Sequence, residues 1–305
     1  LCHPWVLKEM QAAGSPDETA ALEAFDRSLF GHVGFALSNA VRAFWHGLTA
    51  AKTGRVPGNA YTRRFYRRLN RYSAALALVA DISMLLLGGK LKFKESLSGR
   101  LGDVLSQLYI ASAMLKRHED EGRLESDHTL LSWAMHDCVH KIELALSAAL
   151  RNFPVRPVGW LLWVLVFPLG RRAQPPGDGL NHRAAALLMT PNDARDRLAE
   201  GVFLAPTANN PAGRVDSYLA KVILAEPVER KFLKALKSHD IEAHDFATQL
   251  DEGVREGWIT TDERTQLEEL RVMTLDAIGV DDFEPWELRS AGYVEAPTTA
   301  VREAA

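Results

Sequence analysis

The sequence has few cysteines and almost no net charge. Among its 305 residues only Cys2 and Cys138 carry thiols, so we expect no disulfide framework and a reducing compartment, the cytoplasm. The formal net charge is −3, whereas proteins that bind nucleic acid over a broad surface are strongly basic. The composition therefore argues against nucleic acid as a partner.

Long apolar runs and strand patterns are also missing. The longest apolar run, residues 158–170, is shorter than the roughly 20 residues that a membrane-spanning helix needs. There is no secretory signal, no internal repeat and no alternating apolar pattern of the kind that strands show. The sequence predicts a soluble, all-α protein.

Motifs that would mark a catalytic centre are absent. The chain has no phosphate-binding glycine loop, no G-x-S-x-G and no Cys-x-x-Cys. His136 and His140 stand one helical turn apart, a spacing that can hold a metal, but Asp137 stands where a zinc protease has glutamate, and no third ligand is implied. We predict a packing or surface role for both histidines, and no catalytic, cofactor-binding or metal-binding residue.

Apolar residues at steps of three and four predict four long amphipathic helices, at about 18–51, 61–87, 94–121 and 126–153. Short loops with glycine and proline join them, which favours an antiparallel four-helix bundle over residues 1–153. The stripe on the first helix comprises Leu22, Phe25, Leu29, Val33, Leu37, Val41, Phe44 and Leu48.

Shorter helical segments follow the bundle, at about 182–188, 192–199, 214–225, 227–237, 241–255 and 261–277. Thr260 or Thr261, with a glutamate shortly after, predicts the start of the last segment. We interpret residues 154–289 as a smaller helical region that packs on the bundle. Residues 290–305 have few large apolar side chains and are predicted to form a flexible tail.

A band of arginines lies on the second predicted helix, where no acidic residue occurs between Lys52 and Asp81. Like charges so close together favour an anionic partner: a phosphate, a nucleotide tail, lipid headgroups or an acidic face of another domain. The alternative is a solvated face that Glu119, Asp120 and Glu121 neutralise. The band consists of Arg63, Arg64, Arg67, Arg68 and Arg71.

A tryptophan-rich run followed by two arginines is the second candidate surface. Indole rings and basic side chains are favoured at membrane interfaces. Alternatively, a helix that is apolar on all sides is buried, here between the bundle and the second half or against another domain. The residues are Trp160, Leu161, Leu162, Trp163, Arg171 and Arg172.

Several stretches resemble a known family. They are CHPWVLKEM at 2–10, RLNRYSA at 68–74, LLLGGKLK at 85–92, SGRLGDVLSQLY at 98–109, FPLGRR at 167–172, RDRLAEG at 195–201 and PTANNPAG at 206–213. Together they resemble the long C-terminal part of the large bacterial acyl-CoA dehydrogenases of fatty-acid β-oxidation. The resemblance covers residues 1 to about 287.

The resemblance implies a flavoprotein of lipid metabolism that oxidises fatty acyl-CoA to trans-2-enoyl-CoA with FAD. In that family a glutamate removes the α-proton, and it lies in a Val-Glu-Gly-Ala-Asn-like stretch just before the Cys-His-Pro segment. Because that segment opens this chain, at Leu1 and not at a methionine, we expect a piece of a longer protein with its glutamate and flavin domain upstream. No catalytic or flavin-binding residue transfers to a numbered position.

The implied partners are the acyl-CoA substrate, the flavin-carrying core and a second copy of the protein. We expect this segment alone to be inactive and to bind no flavin. We expect it in the cytoplasm, with peripheral contact to the inner membrane as an open alternative. The rival hypothesis is an interaction module without enzymatic activity, which binds an anionic membrane surface or a partner protein.

Overall fold

The computed structural model describes residues 4–207, 209–238, 245–279 and 283. All regular secondary structure in this part of the chain is helical, which confirms the all-α prediction. The chain divides into two compact units, Leu1–Ala186 and Leu187–Ala305.

In the described part of the chain, the first unit contains four long α-helices and three shorter ones. Its helices are α1 (Pro4–Ala13), α2 (Glu18–Leu48), α3 (Arg63–Leu87), α4 (Glu95–Asp120), α5 (His128–Arg151), α6 (Arg156–Val166) and α7 (Asp178–Leu188), the last of which ends two residues past the division. Short 3-10 helices lie at Gly88–Phe93 and Glu125–Asp127. Consecutive long helices pack against each other, α2 on α3, α3 on α4 and α4 on α5.

Local signals set the ends of these helices. Asp17 caps α2, because its carboxylate accepts the backbone N–H groups of Thr19 and Ala20 at 3.0 and 3.1 Å. Gly88 ends α3 with a φ of 49°, a left-handed conformation that glycine adopts at little cost. The predicted stop at Gly88 is confirmed.

The core of the first unit lies among α3, α4 and α5. Its largest fully buried side chains include Phe65, Leu115, Met135, Ile142 and Leu146. The buried residues of each helix recur at steps of three and four, as amphipathic packing requires.

The first unit extends further than residues 1–153, the bundle that the sequence predicts. Helix α6 packs against α2 and α5. It adds Leu162 and Val166 to their core, and Phe167 follows them. Apolar side chains on one face of α6 therefore draw it into the first unit, and the division of the chain falls after Ala186.

The apolar stripe of α2 stays largely outside the core. Small and polar side chains of α2 face inward instead, at Ser28, Asn39, Ala43, His46 and Gly47. Glycines of α2 let neighbouring segments approach this helix closely. An added Cβ on Gly47 would lie 2.6 Å from the Pro168 ring, and one on Gly31 would overlap the Trp5 ring. The large residues are left exposed: Leu22, Leu29, Phe30, Val33, Leu37, Val41, Trp45 and Leu48.

One stretch, Arg63–Phe93, is long and apolar enough to cross a membrane by length and composition alone. The run at 158–170, by contrast, overlaps helix α6, which has only 11 residues. The core helix of a folded bundle passes the same test, and α3 supplies core residues such as Phe65 and Val79. Its buried Arg71 and Asp81 also fit a protein interior that pairs polar groups.

The second unit has a smaller core of its own. Its helices are α8 (Asp193–Leu198), α9 (Pro211–Ser238), α10 (Phe246–Arg255) and α11 (Thr261–Ile278). The fully buried Phe232 and Leu250 lie at its centre with Leu267. Thr260 and Glu263 form a capping box at the start of α11, which confirms the predicted helix start.

Helix α9 is continuous where the sequence predicts a break. The sequence suggests two segments, 214–225 and 227–237, because proline disfavours a helix interior. The structure has one helix with Pro227 inside it. Ala225 and Phe232 pack in the core on either side of Pro227, and Lys231 pairs with Glu263 of α11. These contacts hold both halves in one helix. The predicted tail, 290–305, lies outside the described residues.

Candidate functional site

A cavity of about 580 Å³ in the first unit collects basic side chains from distant parts of the sequence. It lies between α3, α5 and the segment that joins α6 to α7. Its lining is made up of Ala50, Arg68, Arg71, Tyr72, His136, Val139, Arg172, Ala173, Gln174, Pro175, Pro176, Gly177 and Leu180.

Helix α3 places two guanidinium groups in this cavity. Arg68, Arg71 and Tyr72 share one face of the helix because they stand three and four residues apart. Arg71 is only 7% exposed. One of its terminal nitrogens donates to the Val166 carbonyl oxygen at 3.3 Å, while its Nε has no hydrogen-bond partner among the described residues. Burial lowers the pKa of Arg68.

A buried carboxylate fixes the wall of the cavity. Glu143 of α5 is 0% exposed. Its Oε1 accepts the Tyr72 hydroxyl at 2.5 Å, and its Oε2 accepts the backbone N–H groups of Arg172 and Ala173 at 3.0 and 2.9 Å. Burial raises the pKa of Tyr72 strongly, so the phenol stays protonated and keeps donating. With three donors in place, Glu143 positions the lining segment and is not a free base.

His136 adds a neutral imidazole to the lining. Its Nδ1 donates to the Ser132 carbonyl oxygen at 2.8 Å, which leaves Nε2 as the other polar atom of the ring. Burial, followed by the charges of Arg68 and Arg64, lowers the pKa of His136. An imidazole held neutral by nearby cations becomes a donor if an anion arrives.

The two predicted histidines do not form a metal site in the described part of the chain, where no group of three ligating side chains occurs. His136 bonds to Ser132, and the Nδ1 atom of His140 lies 3.2 Å from the Ala173 carbonyl oxygen. Both rings therefore act in packing and hydrogen bonding.

The predicted arginine band changes character along α3. Arg63 is exposed and contacts the Gly58 carbonyl oxygen at 3.5 Å. The Arg64 guanidinium lies 4.7 Å from the Tyr61 ring and 4.6 Å from the Phe65 ring, in cation–π contact. Arg67 is half-buried. Of the band, Arg68 and Arg71 line the cavity. The band is therefore exposed at its first residues, Arg63 and Arg64, and buried at its last residue, Arg71.

The acids that were expected as neutralising partners are engaged elsewhere. Glu119 pairs with Arg123, Asp120 with Lys116 and Glu121 with Arg117. All three pairs join residues four apart at the end of α4. In the part of the chain that the structure describes, no carboxylate forms a salt bridge with any arginine of the band.

The tryptophan-rich run is divided between two environments. Leu162 is 2% exposed, and the half-buried Trp163 ring lies 5.2 Å from the Phe167 ring. Trp160 and Leu161 are exposed on the opposite side of α6. The two arginines behind the run separate as well: Arg171 is half-buried, while Arg172 joins Arg68 and Arg71 in the cavity lining.

Sequence reasoning missed Glu143 and the segment after α6 as parts of one site. Between Lys141 and Arg151 of α5, Glu143 is the one charged residue in a largely apolar sequence, and a single acid of this kind is the available signal for a buried polar network. Its partners lie 71, 29 and 30 residues away. Only the fold brings them together.

A comparison of the whole sequence with models of protein families identifies the family of this chain. The family model described as acyl-CoA dehydrogenase, C-terminal, bacterial type, matches residues 1–283. The chain belongs to this family. No solved structure matches it. The resemblance seen in the sequence motifs is thereby confirmed.

FAD, the cofactor that the dehydrogenase family implies, does not fit the cavity of this acyl-CoA dehydrogenase C-terminal domain. The cavity offers cationic donors for phosphate groups, but a flavin ring also needs a flat apolar slot. Among the described residues that line the cavity, Tyr72 carries the one six-membered aromatic ring, and this residue is 2% exposed and is held against Glu143. We therefore assign no redox step to these residues.

Proposed function

We propose that this domain is the supporting C-terminal part of an FAD-dependent dehydrogenase that oxidises fatty acyl-CoA to trans-2-enoyl-CoA in β-oxidation. The match of the family model to residues 1–283 carries the proposal. The catalytic glutamate and the flavin belong to a core that precedes Leu1 in the whole protein. Here the role of the present residues is to pack on that core.

The exposed face of α2 supports this packing role. Eight large apolar side chains of α2, each between 38 and 73% exposed, follow the helix from Leu22 to Leu48. A contiguous apolar surface of this kind marks an interaction site in most folded proteins. We propose that this α2 face packs on the flavin-carrying core, which would remove the apolar surface from water.

The test is to purify the product of the complete coding sequence that contains this chain, beside the chain alone. The complete product is expected to carry stoichiometric flavin, which substrate acyl-CoA bleaches as enoyl-CoA forms. The chain alone is expected to carry none. A complete product without flavin and without acyl-CoA oxidation would overturn the proposal.

Attachment to an anionic membrane surface is the second candidate function. Where α3 ends, Leu85, Leu86 and Phe93 are 73, 44 and 73% exposed. Lys90, Lys92 and Lys94 interleave with them in the sequence. Apolar side chains flanked by lysines insert favourably into the headgroup region of anionic bilayers.

Sedimentation with vesicles tests this second candidate. Binding to vesicles with anionic lipid, lost in high salt and in a Phe93→Ser variant, would support attachment. Trp160→Ser on the exposed side of α6 tests the other surface that the sequence suggested. If the protein stays in the supernatant with vesicles that contain anionic lipid as well as with neutral vesicles, attachment through this domain is rejected.

A further inference from the structure

We propose that the cavity between α3, α5 and the segment after α6 is a binding site for a phosphate-bearing anion. Arg68, Arg71 and Arg172 would hold the phosphate oxygens. This site goes beyond the proposed function, because it needs neither a flavin nor dehydrogenase activity.

The charge of the lining demands a counter-ion. Three guanidinium groups line the cavity, against a single buried carboxylate, Glu143. The oxygens of Glu143 already accept three hydrogen bonds. Asp178, which follows the lining segment, is exposed to solvent. Arg71 is buried and Arg68 is half-buried, whereas Arg172 is exposed to solvent. Cations held away from water without a paired acid, as Arg68 and Arg71 are, are costly in a folded protein, and a bound anion removes that cost.

An unsatisfied donor points to the same ligand. Arg71 is more than nine-tenths buried, yet its Nε has no hydrogen-bond partner among the described residues. A buried N–H without a partner is rare and calls for an explanation such as a bound ion. Guanidinium groups bind phosphate through two parallel hydrogen bonds, which makes them better suited to this anion than lysine.

The site is also preformed. Glu143 fixes the backbone at Arg172 and Ala173, and the lining continues through Pro175 and Pro176, whose rings restrict the chain. Because the backbone that carries Arg172 is already held, little backbone entropy is lost when the anion binds.

The size of the cavity indicates what carries the phosphate. Small-molecule sites enclose roughly 300–1,000 Å³, and the volume of about 580 Å³ falls inside that range. The space exceeds that of one phosphate group, so we expect a phosphate on a larger organic body. Coenzyme A and a phospholipid headgroup share this chemistry, and inorganic phosphate and pyrophosphate serve as probes for the phosphate group alone.

The experiment is a calorimetric titration of the full chain with inorganic phosphate, pyrophosphate, coenzyme A and vesicles that contain anionic phospholipid. All titrations are made at constant ionic strength, with sodium chloride as the blank. Arg68→Gln and Arg172→Gln each remove one cavity guanidinium that is not deeply buried. Arg63→Gln, an exposed arginine of the same helix outside the lining, is the matched control.

We expect the Kd to rise roughly tenfold in each cavity variant, as for the loss of one charge-assisted hydrogen bond, and to stay unchanged in the control. In an NMR titration the bound anion should raise the pKa of His136. Tightest binding of coenzyme A points to the nucleotide source, and tightest binding of anionic vesicles points to a headgroup. Absence of binding to every probe, or an equal loss in Arg63→Gln, overturns the proposal. Neither outcome bears on flavin content or acyl-CoA oxidation.

Discussion

At the scale of single residues, the decisive groups are buried polar side chains whose partners lie far along the chain. Glu143 joins Tyr72 of α3 to the segment after α6. His32 of α2 joins Glu9 of α1 to Asp81 of α3, at 2.9 and 2.6 Å. Each group holds three parts of the first unit together. Replacement of either side chain should therefore change the free energy of unfolding of the first unit.

Replacement of Glu143 by glutamine should destabilise the first unit by about 1.5–3 kcal/mol. The amide can accept on one side only, so at least one of the three donors loses its partner. Urea unfolding monitored by circular dichroism measures the change. The exposed substitution Asp103→Asn on α4 is the control, and similar losses in both variants would contradict the assigned role.

His32 should make the stability of the first unit fall as the pH rises. Burial acts to lower the pKa of His32, but the bonds to Asp81 and Glu9 outweigh it and raise the pKa above its ordinary value of 6.5. The stabilisation is therefore complete below that value and is lost as the pH rises through the higher folded-state pKa.

The measurement is the free energy of unfolding across a series of pH values on either side of 6.5. His32→Gln should flatten the slope relative to the original protein on the alkaline side. Identical pH profiles for both proteins would show that this ion-pair group does not contribute.

At the scale of elements, the contact of α2 with α6 depends on a glycine. A Cβ on Gly47 would lie 2.6 Å from the Pro168 ring, whose position its own backbone fixes. Gly47→Ala should therefore separate the two helices and destabilise the unit by about 1–3 kcal/mol. Thermal unfolding measures the effect.

Gly34→Ala on the same helix is the matched control, since nothing lies within 4 Å of its added Cβ. Alanine exceeds glycine in helix propensity by about 1 kcal/mol, so this variant should gain stability. Opposite signs for the two substitutions are the expected result. A gain from both would mean that α6 shifts freely away from α2.

At the scale of the whole molecule, the exposed α2 face should matter for assembly and not for folding. Leu37→Asp changes a side chain that is 64% exposed, so the stability of this chain should change by no more than about 0.5 kcal/mol. In the complete protein the same change should weaken association with the flavin-carrying core and lower the flavin content.

The exposed Ala24→Asp on α2 is the control for added charge, because no residue of the exposed α2 face stands three, four or seven positions away from it. Flavin absorbance per mole of protein and co-purification of the two parts are the readouts. Equal flavin content in Leu37→Asp and the original protein would remove the α2 face from the interface.

The sequence by itself determined the four long helices of the first unit, the start of α11 and the family. Periodic apolar residues, Gly88 and the Thr260 cap set the helices through local forces, and the motifs marked an acyl-CoA dehydrogenase C-terminal region. Only the tertiary structure decided which faces are buried. The α2 pattern alone could not reveal that its small residues pack inward, nor could the sequence show that Arg68, Arg71 and Arg172 meet around Glu143. The reason is physical. The pattern that forms a helix involves residues a few positions apart, whereas burial and charge pairing depend on residues that are dozens of positions apart in the sequence and meet only in the folded protein.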